Sequence, residues 1–283
     1  MSEIPTITLR DGLQLPAIGF GTAGMRGAQG VQAIDSAINQ GYRLIDTAYN
    51  YENEGTVGAA VRRSPVPRSD LFISSKLPGR YHEYGKAVTA IQESLYRAGL
   101  DYFDLYLIHW PNPERDQYVD AWRALIDAQK FGLIRAIGVS NFVPEYLDRL
   151  EKETGVLPAV NQIELHPHHS QPEQRDYDRA HGIVTEAWSP LGGKGPKTQR
   201  IQETSVLQDL AEKYHKSAAQ IMLRWEHQLG VLPLPLSHNP GRQAQNLDIF
   251  DFSLTPDEVQ AVTELDGERQ VTGYGDPRTH EEL

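Results

Sequence analysis

Residues 42–54, "YRLIDTAYNYENE", are where the reading of this chain turns. A short apolar run, Arg43–Asp46, stops on an aspartate, and Tyr51 follows five residues later. The same construction recurs downstream. "LFISSKL" (71–77) carries Lys76 near its end, and "FDLYLIHWP" (103–111) carries His109. An acid, a phenol, an amine and an imidazole therefore stand where three strand-like runs stop. In a repeating β/α chain such ends gather on one rim, which is where active sites form. These four side chains are the ones that proton transfer to a carbonyl requires.

The rest of the chain supplies that repeat. Strand-like runs fall at Ala17–Gly21, Arg43–Asp46, Leu71–Leu77, Phe103–His109, Ile134–Ser140, Val160–Glu164, Ile183–Trp188 and Val231–Pro235. Between them lie stretches of helical period, such as "AVTAIQESLYRAGL" (87–100) and "YVDAWRALIDAQKFG" (118–132), the second ending at a C-cap signal, Gly132. Alternating strand and helix implies a parallel sheet covered by helices. Eight such units without a linker predict an α/β fold, a (β/α)8 TIM barrel, as one domain over residues 1–283. "TITLRDGLQLPAI" (6–18) predicts an N-terminal β-hairpin turning at Asp11-Gly12. An extra helix is expected in "VLQDLAEKYHK" (206–216), before "AAQIMLRWEHQL" (218–229). Residues 189–205, "SPLGGKGPKTQRIQETS", read as a long loop, and "GERQVTGYGDPRTHEEL" (267–283) as an extended polar tail. Long loops in compact domains are commonly functional.

Composition narrows the partners. Hydrophobic residues make up 39% of the 283, enough for a large core. No run approaches the roughly 20 apolar residues of a membrane helix. "MSEIPTITLRDG" has neither the basic nor the apolar region of a signal peptide. The chain has no Cys, which removes disulfides, thiolate chemistry and Cys-based zinc sites and fits a cytoplasmic location. A net charge of −11 repels nucleic acid and anionic lipid. The expected partner is a small molecule.

A lysine entering a partly buried rim needs a carboxylate partner, and Asp46 is the natural one. The resulting cation beside Tyr51 favours the phenolate, the tuning a general acid needs near neutral pH. At this point "LPAIGFGT", "GYRLIDTAYNYENEGTVG", "LFISSKL", "DYFDLYLIHWP", "IRAIGVSNF", "VNQIELHP" and "WSPLG" together resemble the aldo-keto reductases, in order and over essentially the whole chain. The branch most resembled is that of the bacterial 2,5-diketo-D-gluconate reductases. The resemblance implies an NADPH-dependent oxidoreductase that reduces aldehydes or ketones by direct hydride transfer. It makes Tyr51 the general acid, Lys76 its tuning cation, Asp46 the partner of that cation and His109 the residue orienting the substrate carbonyl. Ser140, Asn141 and Gln162 match the contacts of the nicotinamide carboxamide, and Trp188 the residue stacking on its ring. Gly21, Thr22, Leu191, Ser237, Arg242 and Asn246 complete the implied cofactor contacts. Trp110 is expected to wall the substrate pocket. The loop cations Lys194, Lys197 and Arg200 are candidates for the pyrophosphate, with no choice made among them.

The sequence departs from the family at one place. Most relatives read Ile-Pro-Lys-Ser after the eighth strand, but "VLPLPLSHNPGRQAQN" (231–246) puts Leu236 where the lysine should be. In relatives that lysine and an arginine, matched here by Arg242, both contact the 2′-phosphate, so the resemblance implies a preference for NADPH over NADH that is kept but weaker than in relatives. Two patterns point elsewhere. "GFGTAG" (19–24) formally matches a dinucleotide-binding glycine motif, but further glycines separate it from the next helix. "HPHHSQ" (166–171) invites a metal but offers no fourth ligand, so none is expected. The rival functions are a nicotinamide-binding regulatory subunit of the same fold and a hydrolase using Asp46 and Glu52. A monomer is expected for the reductase. Substrates from α-dicarbonyls to keto acids and keto sugars all fit, with specificity assigned to residues 23–30, 111–116 and 271–279.

Overall fold

The computed structural model describes residues 4–193, 200–267, 273 and 275–282. Strands β1 (Thr6–Thr8) and β2 (Gln14–Pro16) form the antiparallel hairpin, with Ile7 opposite Leu15. Eight parallel strands follow: β3 (Gly19–Gly21), β4 (Leu44–Asp46), β5 (Phe72–Leu77), β6 (Phe103–Ile108), β7 (Ile134–Ser140), β8 (Val160–Glu164), β9 (Val184–Trp188) and β10 (Leu232–Pro233). They lie in one sheet in sequential order. Between the two end strands the Gly21 N–H donates to the Pro235 carbonyl at 3.0 Å. The (β/α)8 barrel is therefore present.

The glycines at this seam act by their lack of a side chain. A Cβ at Gly19 would stand 2.4 Å from Leu234 Cδ2, and one at Gly21 3.2 Å from the Leu234 carbonyl. "GFGTAG" thus serves barrel closure, and the helix after it begins only at Gly27. The ladder of β10 is shorter than the apolar run 231–235. Pro233 and Pro235 have no N–H, so they join the ladder only as acceptors.

The helices are α1 (Gly27–Gln40), α2 (Glu54–Arg63), α3 (Tyr84–Ala98), α4 (Tyr118–Lys130), α5 (Pro144–Thr154), α6 (Pro172–Ala180), α7 (Ser205–Tyr214), α8 (Ala218–Gln228), α9 (Pro240–Leu247) and α10 (Pro256–Thr263). On α3 the buried residues Ala87, Ala90, Ile91, Ser94, Leu95 and Ala98 repeat at three and four, the stripe that faces a core. Helix α7 is the extra helix. Residues 189–205 are not loop throughout: residues 200–202 are helical, and Ile201 is buried in one cluster with Leu207. Lys194 and Lys197 lie outside the described residues.

Inside the barrel, side chains of alternate positions form layers. The lower layers are apolar: Leu44, Phe72, Leu105, Leu107, Val160 and Leu232 pack with Leu9 and Leu15 of the hairpin end, which plugs the barrel floor. The upper layer is polar. Asp46 pairs in register with Ser74, and Gln162 with Glu186. The switch from apolar to polar along the same inward-facing parity places the site at the C-terminal rim.

One buried group works against stability. Glu226 on α8 is fully buried, and among the described residues neither carboxylate oxygen has a hydrogen-bond partner. Burial raises its carboxyl well above the ordinary value of 4.5. The folded chain then holds a proton that the unfolded chain releases, so stability falls as pH rises above 4.5. Glu226→Met is expected to stabilise the fold by about 1–3 kcal/mol at neutral pH, the cost of an unsatisfied buried polar group. Thermal unfolding at several pH values checks this: the gain should grow between acid and neutral pH, and a pH-independent difference would refute it.

Candidate active site

A cavity of about 880 Å³ opens at the C-terminal ends of the strands. Beneath it Lys76, with no solvent exposure, places Nζ 2.6 and 2.8 Å from the two oxygens of Asp46 and 2.8 Å from the Thr47 carbonyl. Ser74 Oγ donates to Asp46 Oδ2 at 2.7 Å. Burial opposes the charge on Lys76, but Asp46 and Tyr51 outweigh it and hold the amine above its usual value. Lys76 is therefore an ammonium in a dry site.

Tyr51 sits at the end of a short 3-10 turn, Tyr49–Tyr51, and lines the cavity. Its ring centroid lies 5.2 Å from Lys76 Nζ and 5.9 Å from the His109 ring, edge to face. The loop is braced from below. Thr22 Oγ1 donates to the Asp46 carbonyl at 2.8 Å, and Asn53 Nδ2 to the Thr22 carbonyl at 2.8 Å. So Asp46, Tyr51, Lys76 and His109 come together as expected. Glu52 does not join them: it is exposed and pairs with Arg26 at 3.0 Å, so the Asp46–Glu52 pairing that the hydrolase reading needs is not formed.

On the opposite wall Gln162 Nε2 donates to Glu186 Oε2 at 2.8 Å and to Asp46 Oδ2 at 3.2 Å. Two carboxylates fix that amide and leave Oε1 as its acceptor atom. Burial, then the nearby Asp46, push the Glu186 carboxyl up to about 7. Asn141, held at φ +63°, ties the rim together. It donates to Ser140 Oγ at 3.0 Å and the His109 carbonyl at 3.1 Å, and accepts from Trp188 Nε1 at 2.9 Å. Gly21, Thr22, Ser140, Leu191, Leu236 and Trp110 also line the cavity. Ser237, Arg242 and Asn246 do not: they lie on the turn into α9 and on that helix, with Arg242 exposed.

Sequence reasoning missed Glu186, Asn50 and the tail residues His280, Glu281 and Glu282, all beside or within this cavity. Glu186 was within reach, because it shares the inward parity of Trp188 on the same strand. The histidine cluster does not assemble a site. His166 Nε2 lies 3.3 Å from Glu164, and among the described residues no three His, Cys, Asp or Glu side chains converge on a metal position.

Residues 17–267 match the model of the Aldo/keto reductase family. The chain belongs to that family. It is 50% identical over all 283 residues to 2,5-diketo-D-gluconic acid reductase B of Corynebacterium sp. (strain SHS752001), covering 100% of both chains. Its identity to methylglyoxal reductase DkgA of Escherichia coli (strain K12) is 44%, over 94% of this chain and 95% of that protein. Among solved structures, the aldo-keto reductase of Bombyx mori in complex with NADP superposes with a TM-score of 0.90 at 36% identity, covering 99% of each chain.

Proposed function

We propose that this aldo-keto reductase uses NADPH to reduce the carbonyl of small polar substrates, α-dicarbonyls and keto sugars foremost, to an alcohol. The observation that carries the reading is the buried Lys76–Asp46 pair set under Tyr51 and beside His109. The cavity fits a nicotinamide cofactor. It runs from Trp188 and Leu191 to Tyr51, and it offers Gln162 Oε1 as an acceptor for a carboxamide N–H. When bound, the cofactor supplies the hydride. The chain supplies the rest. His109 polarises the carbonyl, Tyr51 gives the oxygen its proton, and the Lys76 ammonium stabilises the phenolate that remains. Asp46 keeps that ammonium charged without water. The relatives named for a diketo sugar acid and for methylglyoxal support the choice of dicarbonyls. The same reading has the chain act as a monomer in the cytoplasm.

The test is cofactor oxidation with methylglyoxal, a keto sugar and simple aldehydes. Turnover with NADPH sustains the reading. Tight NADPH binding with no turnover on any carbonyl would favour a regulatory subunit instead.

Leu236 gives a second check. It lines the cavity where the resemblance expects a lysine on the 2′-phosphate. Leu236→Lys is expected to tighten NADPH by about 1.5–3 kcal/mol, the worth of a charged hydrogen bond. That is roughly tenfold to a hundredfold, with NADH little changed. A competitive titration measures both, and equal tightening of the two cofactors would refute the assignment.

A further inference from the structure

The C-terminal tail returns to the mouth of the barrel and places a carboxylate on His109. Glu282 Oε1 lies 2.7 Å from His109 Nδ1 and accepts from Asn50 Nδ2 at 2.6 Å. Glu282 Oε2 accepts the Gly79 N–H at 3.1 Å. Arg80 buttresses Asn50 by donating to its Oδ1 at 2.5 Å. The tail is held independently of this side chain. Asn112 Nδ2 donates to the Glu282 carbonyl at 2.6 Å, Glu281 accepts the Glu114 N–H at 2.7 Å, and the His280 ring lies 4.1 Å from that of Trp110. The loops after β4, β5 and β6 therefore all grip it. Burial alone would push the Glu282 carboxyl up, but His109, the Gly79 N–H and Asn50 hold it below its ordinary value. It is a carboxylate, built into the site.

A carboxylate only accepts, and the partner of one ring nitrogen of a histidine decides what the other can do. We propose that Glu282 is a positioning residue for carbonyl reduction: it holds the His109 ring by Nδ1 so that Nε2 faces the substrate oxygen. With a proton on Nδ1, donation from Nε2 to a carbonyl requires the second ring proton, and Glu282 supplies the balancing negative charge. The inference rests on the reading above, in which His109 polarises the carbonyl.

Chemical rescue tests it. Glu282→Ala removes the carboxylate and leaves the other tail anchors, together with the Asn50 and Gly79 donors, around a gap. The variant is expected to lose kcat/KM by on the order of 10- to 100-fold, the effect of a misplaced catalytic group. Its NADPH affinity and melting temperature should match wild type. Formate or acetate should restore activity with saturation, whereas formamide and acetamide should not. Glu282→Gln should lose activity like the alanine variant. Wild-type turnover in both variants, faster turnover in either, or a loss that no small carboxylate repairs would each overturn the proposal. If wild type itself reduces no carbonyl, the fault lies in the functional reading; if only the variants behave as wild type, it lies in the role of Glu282.

Discussion

Tyr51→Phe is expected to lower kcat by on the order of 10²–10⁴-fold, the usual contribution of a positioned general acid. NADPH affinity and melting temperature should stay close to wild type. The substitution removes one hydroxyl and keeps the ring, so the edge-to-face contact with His109 survives. The packing of the 3-10 turn depends on backbone bonds, such as Tyr51 N–H to the Ala48 carbonyl at 3.0 Å, which the change leaves alone. What disappears is the phenol hydroxyl of a ring whose centroid lies 5.2 Å from the buried Lys76 ammonium. The loss should therefore fall on kcat and kcat/KM together, the signature of an interaction made in the transition state. Steady-state kinetics beside a fluorescence titration of NADPH separate the two effects. If the phenylalanine variant keeps more than about a tenth of wild-type kcat, a loss below the 10²–10⁴-fold range, Tyr51 is not the acid. The proton then comes from elsewhere, with His109 the nearest alternative.

The barrel was legible in the sequence because parallel strands buried on both faces read as continuous apolar runs. Ile134–Ser140 and Val160–Glu164 match their strands to the residue. The rim residues were legible because a charge at the end of such a run breaks its chemistry. Two kinds of feature were harder to see. Glu186 lies inside "VTEAW", where it shares the parity of Trp188 but its charge still reads as solvated until the register with Gln162 is known. Glu282 meets Asn50 across 232 residues of sequence, and no local pattern announces a contact of that span. The tail read as polar because it is polar. What its sequence does not carry is the set of loop N–H groups and amides, from Asn50 to Glu114, that gives a charged segment somewhere to dock. The helical residues 200–202 escaped for a related reason, since the single apolar residue Ile201 finds its burial only against α7.

Lys76→Met is expected to abolish most activity and also to destabilise the fold by about 3–5 kcal/mol, because breaking a buried pair leaves its other charge uncompensated. The lysine makes three contacts within 2.8 Å at a site with no solvent exposure. After its removal Asp46 retains, among the described residues, Ser74 Oγ and Gln162 Nε2 as side-chain donors. Because the folded state holds the Lys76 proton more tightly than the unfolded chain, its contribution is complete below the ordinary value of 10.5. The lysine's own contribution is thus the same at pH 6 and pH 8, and any change in the cost over that range comes from Glu186, whose carboxyl is pushed up to about 7 and feels both Asp46 and Lys76. Folding and chemistry can then be separated by removing both charges. Replacing a buried pair entirely is often neutral, so the double variant Asp46→Asn, Lys76→Met should regain most of the stability lost by the single one. It should regain none of the activity, because the Tyr51 phenolate still lacks its cation. Denaturant unfolding and kcat measured on the wild type, both single variants and the double variant close the cycle. Recovery of turnover along with stability would mean that Lys76 only supports the barrel, and that the acid at Tyr51 works without it.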